Sequence, residues 1–449
     1  MPIDNDHETT QALHTLFREA EVPPSRADIG AAVRQGRRAA RRRRGAAATV
    51  SVLAVFGMIG TVTVVLDRGE GVRLETARPA PSVSPGPIGT VTAQVQTVQV
   101  GIDDSALRCV VAPLAPPGEA SHVHATGVDP SGRFIVGGIP APDEQTPRFV
   151  DPEPEGTATP SPSVGGQQVL WDRGKPKVFT VPKSFYDTPL VNAAGLVAGT
   201  GSDNQSAGRG PEFGWVYRDG QVHRLPLLPG YDSARLVAIT EQGDVVGYAY
   251  RLPPEGEPIS AAVPVLWRSD GTGGPWPLST PENGGRVLGV TRDGAVVGQH
   301  GDSHLRIWRP DGSAAELRLP PGITRMSGGH VSGDWVVGFV ASSDAQSPTP
   351  LMRWNVRTGQ LYVYPGIDTG DTLSMAVNAG GWVIVTTPKD HQLVVTPDDT
   401  VRRLPTPPGA EEWAEKVIAT AISDNGLVVG SLYRGPDEPT HNHTWQCGG

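Results

Sequence analysis

One short element recurs seven times along this chain, and no other feature limits the possible folds as much. It reads GVDPSGRFIVGG at 127–138, LVNAAGLVAG at 190–199, AITEQGDVVG at 238–247 and GVTRDGAVVG at 289–298. Three more copies follow: HVSGDWVVG at 330–338, AVNAGGWVIV at 376–385 and AISDNGLVVG at 421–430. Each is an apolar stretch, a polar turn containing Gly, and a β-branched run. That is the pattern of a β-hairpin whose turn demands a residue at positive φ. With 56 Gly and 44 Pro in 449 residues, a mostly helical chain is excluded.

A second element follows each hairpin: VLWDRG at 169–174, WVYRDG at 215–220, VLWRSDG at 265–271, RIWRPDG at 306–312 and MRWNVRTG at 352–359. The sixth copy, LVVTPDD at 393–399, has Val395 in the Trp place. Each leads into a short strand ending at Leu-Pro or a similar stop, such as LRLPP at 317–321. A unit thus holds four antiparallel strands, and units of about 40–50 residues with that content are propeller blades. Trp171, Trp215, Trp267, Trp308 and Trp354 are expected to pack between neighbouring sheets.

The seventh unit reaches its Trp strand in HNHTWQCGG and lacks a fourth strand. An unassigned strand, LRCVVAPL at 107–114, lies upstream of the first hairpin and resembles LRLPP. It is expected to complete the last blade and close the ring. Superimposing the units puts Cys109 across a tight turn from Cys447, so these two cysteines, the only ones in the chain, are expected to form a disulfide. The expected fold class is all-β: a seven-bladed β-propeller with four-stranded blades and velcro closure. AITEQGDVVG and AISDNGLVVG, with their trailing Trp turns, resemble the extracellular HAF repeats over roughly residues 105–447. The resemblance implies a secreted or surface propeller-like array and brings no catalytic residues.

Residues 45–66 (GAAATVSVLAVFGMIGTVTVVL) carry no charge over 22 residues, enough for one helix to cross a bilayer. Arg34, Arg37, Arg38, Arg41, Arg42, Arg43 and Arg44 precede it, so residues 1–44 are expected in the cytoplasm and the remainder outside. The long basic segment and the lack of a small-x-small site after Leu66 favour an uncleaved anchor over a signal peptide. In the tail, Leu13, Leu16 and Phe17 fall at helical spacing, and Ser25 with Asp28 resembles a capping box. Residues 67–95, rich in Pro, Ser and Gly, read as a tether, which leaves 96–449 for the extracytoplasmic propeller. Only five of the 38 basic residues are Lys, consistent with the high-GC coding of an actinobacterium.

The first 44 residues hold nine Arg against six Asp or Glu, so of the totals of 38 and 47, 29 basic and 41 acidic residues follow. An outer domain so acidic argues against nucleic acid as a partner. No HExxH, GxSxG or GxxxxGK[ST] motif occurs. His122 and His124, and likewise His441 and His443, share a strand face and are the nearest approach to a metal ligand set. The apolar and amide residues between them favour ordinary surface histidines, and neither metal nor cofactor is expected. The sequence therefore points to a membrane-anchored binding module, with an unknown protein or glycan ligand on the long-loop face, the one opposite the tight turns, whose largest loop is 139–166. Two alternatives remain open at this level. One is a hydrolase of glycans or peptides, with carboxylates converging at the channel mouth. The other is a transmembrane sensor signalling through the tail.

Overall fold

The computed structural model describes residues 89–118, 123–139, 166–181, 188–202, 211–252, 262–269, 275–278, 285–300, 304–310, 313–319, 323, 325–341, 349–369, 374–387, 391–408, 416–433 and 441–448. The tail at 1–44, the apolar run at 45–66 and most of the tether lie outside them. Among the described residues no helix is long and apolar enough to cross a membrane.

The described residues form seven four-stranded antiparallel blades around a central channel, as the repeat predicts. Blades 1 to 6 span 124–181, 190–224, 233–277, 286–318, 325–368 and 374–403. Blade 7 joins three strands of 416–447 to a fourth from far upstream, Cys109–Pro113. In that pairing Cys109 lies directly opposite Cys447, and the two are disulfide-bonded. The ring is therefore closed by velcro pairing and a covalent bond together.

Each unit begins with the innermost strand. The turn that follows opens on a short polar residue: Asp129, Asn192, Thr240, Thr291, Ser332, Asn378 or Ser423. In six of the copies, those of Asp129, Asn192, Thr240, Thr291, Asn378 and Ser423, its side chain accepts a backbone amide of the turn. Asn378, for example, is buried and its Oδ1 accepts the Trp382 amide at 3.0 Å. The turn Gly of every copy, from Gly132 to Gly426, has φ between 58° and 88°, so the recurrent Gly answers a backbone demand. The final Gly of the hairpin has a different cause. In blades 1, 3, 4, 5 and 7 the inner strand is bulged. A Cβ added at Gly247 would stand 2.0 Å from the Arg235 carbonyl oxygen, so the bulge leaves no room for a side chain there.

One apolar cluster fills each of the seven interfaces between blades. The repeat Trp residues sit in them, from Trp171 and Trp354 at 0% exposure to Trp308 at 5%. Three of these indoles also explain the Leu-Pro stops. Trp267 donates to the Pro226 carbonyl, Trp445 to Pro405 and Trp171 to Ala115, in each case the stop of the preceding blade.

The segment read as the end of the tether carries regular structure. Strands β1 (Gly89–Thr92), β2 (Gln94–Thr97) and β3 (Ile102–Ala106) add in parallel to the outer edges of blades 4, 5 and 6. The chain then enters blade 7 as β4 (Cys109–Pro113). Strand twist turns each outer edge toward the circumference, so one extended segment can pass from blade to blade. Between its strands the belt drops Ala93 into the cluster between blades 4 and 5, Val98 and Val100 into the next, and Leu107 into the one between 6 and 7. Three exposed edges are thereby covered.

Candidate functional site

The inner strands wall a channel of about 750 Å³. Their registers against the second strands define layers down its length. At the end where the strands enter, His124, Arg235, Arg286, Ser374 and Ile418 occupy one layer. Three of these five are basic and none is acidic, in a domain whose net charge is strongly negative. Arg235 is neutralised by a bidentate pair with Glu212, at 2.5 and 3.0 Å, and Glu212 also accepts the Tyr250 hydroxyl at 2.7 Å. Burial first, and then this carboxylate, push the Tyr250 phenol well above its ordinary range, so it remains a donor. Arg286 is exposed at the mouth and has no ion pair among the described residues.

Deeper in, the wall is apolar, with Val237, Ile239, Val290 and Met375 facing the lumen. One layer departs from the repeat. After the bulge, blades 1, 3, 4 and 7 place Gly127, Ala238, Gly289 and Ala421, whereas blade 5 places His330. The two glycines are forced, since a Cβ at Gly289 would meet Val331 of the next blade at 2.7 Å and one at Gly127 the Pro189 carbonyl oxygen at 2.9 Å. Blade 6 leaves room for an imidazole beside Val377. His330 is reached by water along the lumen yet ringed by protein. That enclosure holds its imidazole below the ordinary range, against a hydrogen bond with the Val377 backbone. At neutral pH one ring nitrogen is therefore an uncharged acceptor.

The opposite mouth is formed by a ring of these turns, with neighbours tied between blades 2 and 3, 6 and 7, and 7 and 1. Asn192 Nδ2 donates to the Thr240 carbonyl, Asn378 Nδ2 to Ser423 and Asn425 Nδ2 to Ser131. Two carboxylates serve the same ring: Glu241 accepts the Ala193 amide and Asp424 the Ala379 amide. Carboxylates do converge at a channel mouth, but on the face of the tight turns, and each has this bracing role. Burial raises the Glu241 carboxyl above its usual range; the Ala193 amide opposes this, and the charges of Asp129 and Asp424 add to the rise. A raised carboxyl contributes most stability when protonated, and that contribution is lost as pH climbs through the folded-state value. Glu241→Gln keeps the acceptor for Ala193 and sheds the repelled charge. It should raise the unfolding midpoint at pH 7 and leave it unchanged at pH 3.5; calorimetry at the two pH values checks the sign.

Asn442, between His441 and His443, is the buried member: its Oδ1 accepts the Ala125 amide at 2.9 Å and the Ser431 hydroxyl at 2.8 Å, and its Nδ2 donates to the Val123 carbonyl at 2.8 Å. It sews blade 7 to blade 1, so the two histidines alternate to the other face of the strand. Desolvation lowers the His443 imidazole, with its neighbour His441 adding to the effect and the hydrogen bond to the His441 carbonyl opposing it. His122 lies outside the described residues, and among those described no three His, Cys, Asp or Glu come together to hold a metal. The loop at 140–165 is likewise outside them.

The fold and channel define the class: this is a closed seven-bladed β-propeller. No family model matches the chain, and no curated protein matches it. Among solved structures it is similar to a streptogramin B lyase, at 12% identity over 76% of this chain and 98% of that one, with a TM-score of 0.47. The virginiamycin B lyase of Staphylococcus aureus gives 10% identity over 75% and 99%, with a TM-score of 0.46. The β-propeller domain of the trilobed protease from Pyrococcus furiosus gives 10% over 73% and 96%, at 0.47. At these identities their activities do not pass to this chain.

Proposed function

We propose that this chain is a single-pass membrane protein of an actinobacterial cell that presents its propeller outside as a binding module, with the ligand received where the inner strands enter the channel. The observation that carries the binding reading is the channel itself, which among the described residues holds an exposed Arg286 without an ion pair at that mouth while the domain around it is acidic. The uncharged run at 45–66 behind its Arg block supports the anchor and its orientation, and the disulfide is consistent with an oxidising exterior. The HAF-like repeats point the same way.

Two measurements test this. An epitope placed after Gly449 should be stained by antibody on intact cells; staining only after permeabilisation would refute the orientation. Full-length protein in detergent, probed on glycan and peptide arrays, should bind a subset that Arg286→Glu no longer retains. Binding unchanged by that substitution would remove the mouth from the reading. A hydrolase is the second reading, favoured by Glu241 beside Asp129 and Asp424. It requires turnover of an array ligand that is lost in Glu241→Gln.

A further inference from the structure

Resting on the binding reading above, the geometry points to a narrower ligand class: we infer that the channel takes a small amphipathic carboxylate of about the size of an apolar dipeptide, its anion against Arg286 and a donor group against His330. Four observations converge on this. Arg286 and Arg235 occupy the same register in adjacent blades, but Glu212 satisfies Arg235, whereas Arg286 has no ion pair among the described residues. Arginine is the side chain whose planar donors match a carboxylate in two bonds at once.

The wall inward of it is formed by Val237, Ile239, Val290 and Met375, which an apolar body would cover. His330 is the one ionisable side chain where the other four bulged blades place Gly or Ala, and its blade lies next to that of Arg286. Its register matches that of Gly289, which the bulge sets only two partner residues from Arg286, Val297 against Gln299, or roughly 7 Å along the channel. An apolar dipeptide with a free carboxylate spans that distance. The braced carboxylates at the far mouth add a repulsive end, which would keep an anion at the Arg286 side.

The test uses N-acetyl-Leu-Leu and its C-terminal amide, two probes that differ only in charge, titrated into the full-length protein in detergent by calorimetry. The acid is expected to bind at least tenfold more tightly than the amide. Arg286→Gln should bring the acid down to the level of the amide, Arg286→Lys should lose the preference in part, by several-fold, and His330→Ala should weaken both several-fold. Circular dichroism shows whether each variant is folded, and Arg286→Lys serves if Arg286→Gln is not. Equal binding of acid and amide would overturn the carboxylate inference while leaving the channel as a binding site. A preference for the acid that survives Arg286→Gln would overturn the placement of the anion. Absence of binding by both probes would overturn the inference outright, and the array experiment would still decide the broader reading.

Discussion

Replacing Cys109 and Cys447 together by serine should lower the midpoint of thermal unfolding by roughly 10 °C. The bond joins residues 338 apart in sequence, and a loop of that length costs the unfolded chain about 6 kcal/mol less entropy to order when it is already closed. Few single bonds in a domain of this size have comparable leverage. The folded state, by contrast, should change little. β4 keeps its pairing with His441–Cys447, the Leu107 amide still donates to the Arg403 carbonyl at 2.9 Å, and Leu107 stays in the cluster between blades 6 and 7. The double variant should therefore show the parent circular-dichroism spectrum at 20 °C and unfold early. Reduction of the parent by dithiothreitol should reproduce that shift. A midpoint within 2 °C of the parent in both experiments would show that the belt holds the ring without the bond.

What was legible in the sequence, and what was not, follows from how the chain could be compared with itself. Seven copies aligned on one another expose the demands that blades share: the turn Gly at positive φ in all seven and the Trp in the interface in six. The cysteines were legible for the same reason, because two partial units had to complete each other. The belt was hidden although Val91, Ala93 and Val95 alternate as a strand should, since its partners lie more than 200 residues away and its pairing has no second copy. The channel layers were hidden too. His330 looks like one more residue of an apolar stretch until the bulge register sets it beside Gly127, Ala238, Gly289 and Ala421. Asn442 was read as a gap between two candidate ligands, whereas its buried hydrogen bonds give it the structural role in that motif. Departures from a repeat carry the individuality of the molecule, and self-comparison cannot say what they touch.

Arg353 is such a departure, and its partner gives the second large effect: Asp399→Asn should cost about 3 kcal/mol of stability, or roughly 6 °C. Arg353 is 1% exposed in blade 5. Its Nη1 donates to the carbonyls of Gly381 at 2.6 Å and Thr396 at 3.1 Å, and its Nη2 to Asp399 Oδ1 at 2.6 Å, so it bolts blade 5 to two turns of blade 6. The rings of Trp335 and Tyr362 lie 5.0 Å from the guanidinium, which gives the charge some shelter but no counter-ion. Burial keeps the Tyr364 phenol protonated, and its hydroxyl donates to the same Asp399 oxygen at 2.7 Å. Asp399 sits at φ 65°, a conformation asparagine tolerates, so Asp399→Asn removes the charge while keeping shape and turn. A buried guanidinium is then left unpaired. Arg353→Met alone should cost less, because Asp399 is partly exposed and retains both Tyr364 and water. Adding Arg353→Met to Asp399→Asn should recover part of the loss, since an apolar side chain of similar length replaces the stranded charge. Chemical denaturation of the two single variants and the double variant closes the cycle. Costs that simply add would show that the pair is held by its neighbours and not by its charges.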